Sequence, residues 1–366
     1  MASVAIVTLR IRRFRNITDA NVTLNARLNV VCGDNAQGKT SLLEAAYVLA
    51  TSRSFRTNRL ADVIGFGADA AHVHACVQEG HSSRDQAVGV SLLGRVAEVD
   101  GKPARRLAEY AVLTPAVVFD AMSMSLVAGS GAERRKLMDR LALYASPASY
   151  ADALAYARAV KARRRVLDTR GSASRDLDHW EELIVRHGSS WAAARARAVA
   201  SLSASARDMF VAIARGAPSL TMAFQWGAPA EPEAFRAGLI AAREHDRGRR
   251  SDAVGRQKDD IHIALGTRGI RSNASQGERR AIVLAIKLAE ISLLRRVRGL
   301  TPILLLDDVS TELDATRTEA FLSAVREADP QVLLTTTRPD LIPHRNFWTA
   351  PDHAHHRLRG GAISGA

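Results

Sequence analysis

Residues 33–40, GDNAQGKT, fit the spacing G-x-x-x-x-G-K-[ST]. In that pattern the glycines let the backbone curl so that successive N–H groups face a triphosphate. Lys39 is placed to meet the β- and γ-phosphates, and the Thr40 hydroxyl to take a position on Mg²⁺. The implied chemistry is ATP binding by Gly33, Asp34, Asn35, Ala36, Gln37, Gly38, Lys39, Thr40 and Ser41. A second constellation is Asp307-Asp308, directly after the apolar run 303–306. Asp307 is suited to hold the metal, directly or through water, and Asp308 to orient or deprotonate an attacking water. The bland alternative makes the pair a helix cap or solvated loop acids. A third stretch, SNASQGERR, carries Ser275 three places before Glu278, the spacing of a capping box. Ser275, Gln276, Gly277 and Glu278 also form the kind of helix start that holds a phosphate, so the segment has two readings.

These residues need elements to position them. RLNVVC (27–32) reads as a buried strand feeding the Gly-rich loop, and TSLLEAAYVLATS as a helix with Leu42, Leu43, Ala46 and Leu49 on one stripe. The unbroken apolar run 303–306 suits a strand buried on both faces of a sheet, with its carboxyl end facing the ligand. Alternation at Val7, Leu9 and Ile11 predicts a strand, and 72–100 predicts antiparallel strands with an Asp-Gly turn. Residues 110–120 predict another strand. After Asp120 the spacing turns helical, an insertion of domain size, before strand signals return near 259–266. The boundaries expected are 1–120 for the first half of a head, 121–253 for a helical arm, 254–350 for the second half, and 351–366 for a flexible tail.

The chain carries 51 Lys and Arg against 38 Asp and Glu, a net charge of +13. An excess of that size suggests a polyanionic partner such as nucleic acid, and a solvated Arg-rich surface is the competing explanation. Positive charge gathers in 158–170 and 243–252. With few aromatics to stack on bases, neutralisation of a duplex backbone without sequence readout is the stronger expectation. Only Cys32 and Cys76 are present, so no disulfide framework is implied and a reducing cytoplasm fits. No apolar stretch reaches membrane-spanning length, and no membrane partner is expected.

The order FRNI (14–17), GDNAQGKTSLLEA, a helical insertion, SQGERR, LLLDDVSTELD and VLLTTTRPD resembles the RecF family of DNA repair proteins, within the ABC/SMC-type ATPases. SFRT (54–57) and LVAGSGAERRKLMDRL (126–141) are similar to RecF segments too. The resemblance implies an α/β fold: an ABC/SMC-type P-loop ATPase head with a mixed sheet, and an α-helical arm domain inserted between the Walker A and signature halves. It implies that Asp307 is the Walker B metal carboxylate and that Asp308 stands where such ATPases place a catalytic Glu. It assigns residues 310–314, ending in Asp314, to the D-loop, and places 335–337 near the switch position. It makes Ser275, Gln276, Gly277 and Glu278 the signature that contacts the ATP held by a partner, so that ATP induces a homodimer. It further implies a slow, DNA-stimulated ATPase acting on duplex and gapped DNA and at single/double-strand junctions. RecO and RecR would be partners in assisting RecA loading at gaps during repair, replication and the SOS response.

Some residues depart from the family pattern. Ala36 stands where Gly is usual, which the loop tolerates if φ stays negative. RQKDD (256–260) replaces a His-Arg-Asp-Asp run. No Gln occurs between 87 and 224, so a Q-loop Gln near Phe119 is absent, and Asp308 is one methylene shorter than Glu. The region between Lys39 and Ser275 is too short, and too interrupted by Gly and Pro, for long SMC arms. A RecF-like paralogue in a defence or other maintenance system shares these motifs, as does a non-hydrolysing ATP-gated DNA-binding module.

Overall fold

The structure is a computed structural model that describes residues 2–214, 216–249, 252–270, 274–308, 315–337, 353–359 and 361–365. The chain divides into two compact units, Met1–Met124 with Asp208–Gly216 and Ser275–Ala366, and Ser125–Arg207 with Ala217–Ala274.

The first unit holds two sheets. Strand β1 (Ala2–Phe14) buries Val4 and Ile6, then Leu9 and Ile11. A period-2 strand can switch from even to odd positions only through a bulge, and the register with β4 (Ala70–Glu79) shifts between Ile6 and Thr8. The Gln331 side chain, 1% exposed, accepts from Ile6 N–H at 2.8 Å and donates to Ile6 C=O at 2.7 Å, pairing the strand beside the bulge. β1 also pairs with β2 (Ile17–Thr23) and, at its start, with β12 (Leu300–Thr301). The antiparallel sheet continues from β4 to β5 (Ser82–Ser91), β6 (Gly94–Val99) and β7 (Lys102–Pro103).

The second sheet is parallel through β15 (His353–Arg359), β3 (Leu28–Cys32), β14 (Val332–Thr336), β13 (Ile303–Asp307) and β8 (Ala116–Phe119), with β16 (Ala362–Gly365) added antiparallel at the edge. Between the sheets runs α1 (Lys39–Thr51), which packs on β13 and β14 and on β1, β4 and β5. Every residue of α1 except Thr40 is buried. The expected one-sided stripe is therefore incomplete: a helix apolar on most of its circumference is one enclosed on all sides.

Two expectations for this unit change. Residues 107–111 form a short helix, α2, whose Tyr110 hydroxyl donates to Leu49 C=O, so only 116–119 of the expected strand 110–120 is extended. Within the expected flexible tail 351–366, the described residues 353–359 and 361–365 are paired: β15 extends the ladder of β3 and buries His356 and Leu358. Polar spacing in HAHHRLRGGAISG hides this strand, because its stability comes from completing a sheet edge.

The second unit combines helices Gly131–Ala145 (α3), Ser149–Arg170 (α4), the 176–207 part of Asp176–Ile213 (α5) and Pro232–Ala241 (α6) with a small sheet. In that sheet β9 (Leu220–Gln225) pairs antiparallel with β10 (Asp260–Leu265), which continues to β11 (Arg268–Gly269). The insertion is thus not wholly helical. Its end moves from 253 to 274, because β10 is paired with β9 inside the same unit.

Several cations of this unit are internal. Arg163, 1% exposed, bonds Glu181 at 3.0 Å and Asp246 at 2.9 Å. Within RQKDD, Arg256 bonds the carbonyls of Ala228 and Pro229, both at 2.9 Å, and Asp259 holds Arg195 at 2.9 Å. Burial pushes the Asp259 carboxyl above the usual range, opposed by the Gly227 N–H and by Arg195 and Arg256. Asp260 takes Arg134 through both oxygens, at 2.6 and 2.9 Å. Asp259 and Asp260, the acids that RQKDD shares with the His-Arg-Asp-Asp pattern, thus brace this unit internally. Removing one partner of so buried a pair costs about 3 to 5 kcal/mol.

Candidate nucleotide-binding site

The loop after β3 turns into α1 through Gly38, whose φ of 110° no L side chain adopts comfortably. The first turn of α1 carries no acidic residue, so its N–H groups and positive dipole end are available to an anion. Gly33 is required for a different reason: a Cβ there would lie 2.6 Å from Leu358 C=O on β15. The C-terminal hairpin thus presses directly on the loop.

Lys39 is 8% exposed, and its ammonium donates to the carbonyls of Gly33 at 2.6 Å and Asp34 at 2.8 Å. It lies along the concave side of its own loop, tethered at the position from which it would reach phosphate. The Thr40 hydroxyl donates to Asp307, 3.0 Å from Oδ1 and 2.9 Å from Oδ2. Thr335, opposite Asp307 in the β13–β14 ladder, donates its hydroxyl to Asp307 Oδ1 at 2.7 Å. Two segments 267 residues apart are brought to one point because β3, β14 and β13 end together. Thr335 has no place in the sequence reading beyond its nearness to a switch position; its alignment with Asp307 becomes visible only with the strand order.

Hard oxygen donors of this kind suit Mg²⁺, which takes one or two protein oxygens and fills its shell with water and phosphate. Among the described residues no group of three or more His, Cys, Asp or Glu side chains is able to hold a metal alone. The donor set at Thr40 and Asp307 therefore fits a cation that arrives with a nucleotide.

Asp308 has a φ of 50°, tolerated by Asp better than by most residues. Its N–H donates to Thr335 C=O at 3.1 Å, which holds Asp308 against the end of β14. Phe119 pairs with Leu306, so Asp120 follows β8 at the same end of the sheet, the place where a Q-loop Gln is absent. Asp314 lies outside the described residues.

Ser275 is the N-cap of α7 (Gln276–Arg298). Its Oγ accepts from Glu278 N–H at 3.2 Å, while Glu278 Oε2 accepts from Ser275 N–H at 2.7 Å. The capping box is formed in full. Ser275 and Gln276 are exposed, and Gly277 and Glu278 are partly so. The body of the helix from Ala281 to Leu294 is almost wholly buried, which anchors that exposed start.

Ala36 corrects an expectation: its φ is 64°, in the left-handed region, at a cost of about 1 to 2 kcal/mol for a residue with a Cβ. Sequence reading also misses Glu44, a fully buried carboxylate on α1. Arg15 bonds it through Nε and Nη2 at 2.9 and 2.8 Å, with Ser54 at 2.6 Å and Arg56 at 3.2 Å. The FRNI and SFRT stretches thus meet on the helix that follows the loop.

Burial, with His355 beside it, holds the His356 imidazole below its ordinary pKa. The unfolded chain then binds the proton more readily than the folded one. Stability from this site is complete above the ordinary imidazole value and is lost as pH falls below it. The thermal midpoint is expected to fall further between pH 8 and pH 5.5 for the wild type than for His356→Gln. Equal falls would refute this.

A mixed sheet whose parallel strands carry a P-loop, an acid pair at the end of the next strand but one and an antiparallel sheet across α1 define a P-loop ATPase head of the ABC/SMC class. Residues 5–347 match the RecF/RecN/SMC N terminal domain model. The chain is 36% identical to the DNA replication and repair protein RecF of Anaeromyxobacter sp. (strain Fw109-5), over 98% of each chain. It is 33% identical to the protein of the same description from Myxococcus xanthus (strain DK1622), over 92% of each. The chain belongs to the RecF family. A solved structure of the recombination mediator protein RecF with ATP, in the RecFOR pathway, superposes with a TM-score of 0.86 at 22% identity, covering 100% of this chain and 98% of that one. An Smc head bound to the C-winged helix domain of ScpA gives 0.54 at 14% identity, covering 99% and 96%.

Proposed function

We propose that this protein is a RecF-type, ATP-dependent DNA-binding repair protein whose nucleotide site is residues 33–41 with Thr40 and Asp307. The meeting of Thr40, Asp307 and Thr335 carries the reading, because it assembles hard oxygen donors at the mouth of a phosphate loop. Lys39 and the loop N–H groups bind and orient the triphosphate. Bound Mg²⁺ supplies charge neutralisation on the phosphate oxygens. Asp308 positions the attacking water and accepts its proton. Its short reach makes hydrolysis slow, which suits an ATP-timed clamp stimulated by DNA.

The exposed Ser275 and Gln276 present a capped helix start to the ATP of a second copy, so that nucleotide closes a homodimer. The near full-length kinship with proteins described as DNA replication and repair proteins supports action on duplex and gapped DNA and at single/double-strand junctions. It equally supports RecO and RecR as partners in assisting RecA loading. No described helix is long and apolar enough to cross a membrane; a cytoplasmic site of action is part of the proposal.

Part of the charge in 158–170 is spent internally on Arg163 and Arg164. Arg158, Lys161 and Arg165 are exposed and fall at i, i+3 and i+7, one face of α4. They are the proposed backbone contacts. Fluorescence anisotropy with unrelated duplexes should show binding that requires ATP and weakens with salt. Arg158→Ala, Lys161→Ala and Arg165→Ala together should lower the slope of log K against log salt by roughly 2 to 3. Binding that persists without ATP and ignores salt would overturn the reading.

A further inference from the structure

The strained bend of the phosphate loop has a brace outside the loop. Ala36 is left-handed, and its carbonyl accepts a hydrogen bond from Asn16 Nδ2 at 3.0 Å. Asn16 sits in the turn between β1 and β2. Its other side-chain atom, Oδ1, accepts from the Ser41 hydroxyl at 2.9 Å. The Ala36 carbonyl can only accept, so it fixes the NH₂ end of the amide toward itself and leaves Oδ1 for the Ser41 hydroxyl. One side chain therefore joins the strained residue to the first turn of α1, across the two residues proposed to handle phosphate and metal, Lys39 and Thr40.

The surroundings leave the amide little freedom. A Cβ on Gly38 would lie 3.1 Å from Asn16 Oδ1 and 3.2 Å from Nδ2, so the amide rests on a gap that only glycine leaves open. On the other side, a Cβ on Gly361 would lie 2.6 Å from Asn16 C=O. The turn itself is held: Arg15 N–H donates to Val63 C=O at 2.7 Å, and Gly65 N–H donates to Arg13 C=O at 2.7 Å. Asn16 is thus a fixed point against which a less favourable loop conformation can be maintained.

We propose that Asn16 is a positioning residue for the nucleotide: it holds Ala36 in the left-handed conformation that directs the loop N–H groups at phosphate. The proposal rests on the reading of residues 33–41 as an ATP site. Its physical content is a coupling. With Ala at 36, the loop without Asn16 relaxes toward negative φ and the binding-competent form becomes a minor state, which lowers apparent affinity by its population. With glycine at that position the left-handed form carries no Cβ penalty, and the brace becomes dispensable.

The test is equilibrium binding of a fluorescent ATP analogue, with Mg²⁺, to four full-length proteins: wild type, Asn16→Ala, Ala36→Gly and the double variant. Asn16→Ala is expected to bind roughly three- to tenfold more weakly, the value of one such hydrogen-bonded brace. The double variant is expected to return to within about twofold of Ala36→Gly. Equal affinity of Asn16→Ala and wild type overturns the proposal. So does an Asn16→Ala loss of the same size in the Ala36→Gly background, which marks an ordinary packing defect. If Asn16→Ala does not fold, Asn16→Ser, whose hydroxyl is too short to span both bonds, carries the same comparison. Wild type that binds no ATP analogue would instead refute the nucleotide site itself.

Discussion

Lys39→Ala is expected to abolish ATP binding, with affinity falling more than about a hundredfold, because two charge-assisted hydrogen bonds to phosphate disappear at once. The geometry makes the effect specific. The Lys39 ammonium bonds the carbonyls of Gly33 and Asp34, at 2.6 and 2.8 Å, and both belong to the loop mouth. Truncation therefore leaves no buried counter-charge behind, and the thermal midpoint should move little. ATP-dependent DNA binding should vanish with nucleotide binding. Titration with a fluorescent ATP analogue, beside a melting curve, checks both halves. A Lys39→Ala protein that binds nucleotide within tenfold of wild type would remove the basis for the assignment.

Ser275→Arg is expected to leave each chain able to bind ATP and unable to dimerise. Light scattering in the presence of ATP and Mg²⁺ should report a dimer for wild type and a monomer for the variant. The cap must be separated from the contact. Replacing an N-cap serine costs about 1 kcal/mol of helix stability, a loss shared by Ser275→Ala. The alanine variant controls for that loss while leaving the exposed helix start unobstructed. A monomer for Ser275→Arg and an ATP-induced dimer for Ser275→Ala would place the effect in bulk at a tight contact between copies. Dimerisation of Ser275→Arg equal to wild type would refute the trans contact.

The strand–loop–helix around residues 33–41 is legible in sequence because glycine spacing, an apolar strand and a helical repeat are all local signals. The run 303–307 is legible for the same reason: in an α/β chain, an unbroken apolar stretch of strand length ending in acids marks a central strand and its ligand-facing end. Thr335 and Asn16 are not legible. Each acts by lying beside a residue tens of positions away, at 2.7 Å from Asp307 and 3.0 Å from Ala36 C=O, and strand order is not encoded locally. β9 and β15 are missed for a different reason. Their partners, β10 and β3, supply the stability, so their own residues need only tolerate extension. The Arg-rich stretches mislead in part, because a composition cannot distinguish Arg158, which is exposed, from Arg163, which is bonded inside the helical unit.

Placement of β3 between β14 and β15 governs the order in which the chain can acquire structure. Leu28 pairs with Val332 on one side and His353 on the other. At ribosomal rates, roughly 15 to 60 s separate the appearance of β3 from that of β14. Until then β3 and the apolar helix α1 have no completed parallel sheet to enter. The unit spanning Ser125–Arg207 and Ala217–Ala274 draws its pairings from within its own span and is free to fold first. The side of α1 that meets β1, β4 and β5 has its partners as soon as residues 2–103 are made, whereas the side that meets β13 and β14 waits for the last quarter of the chain.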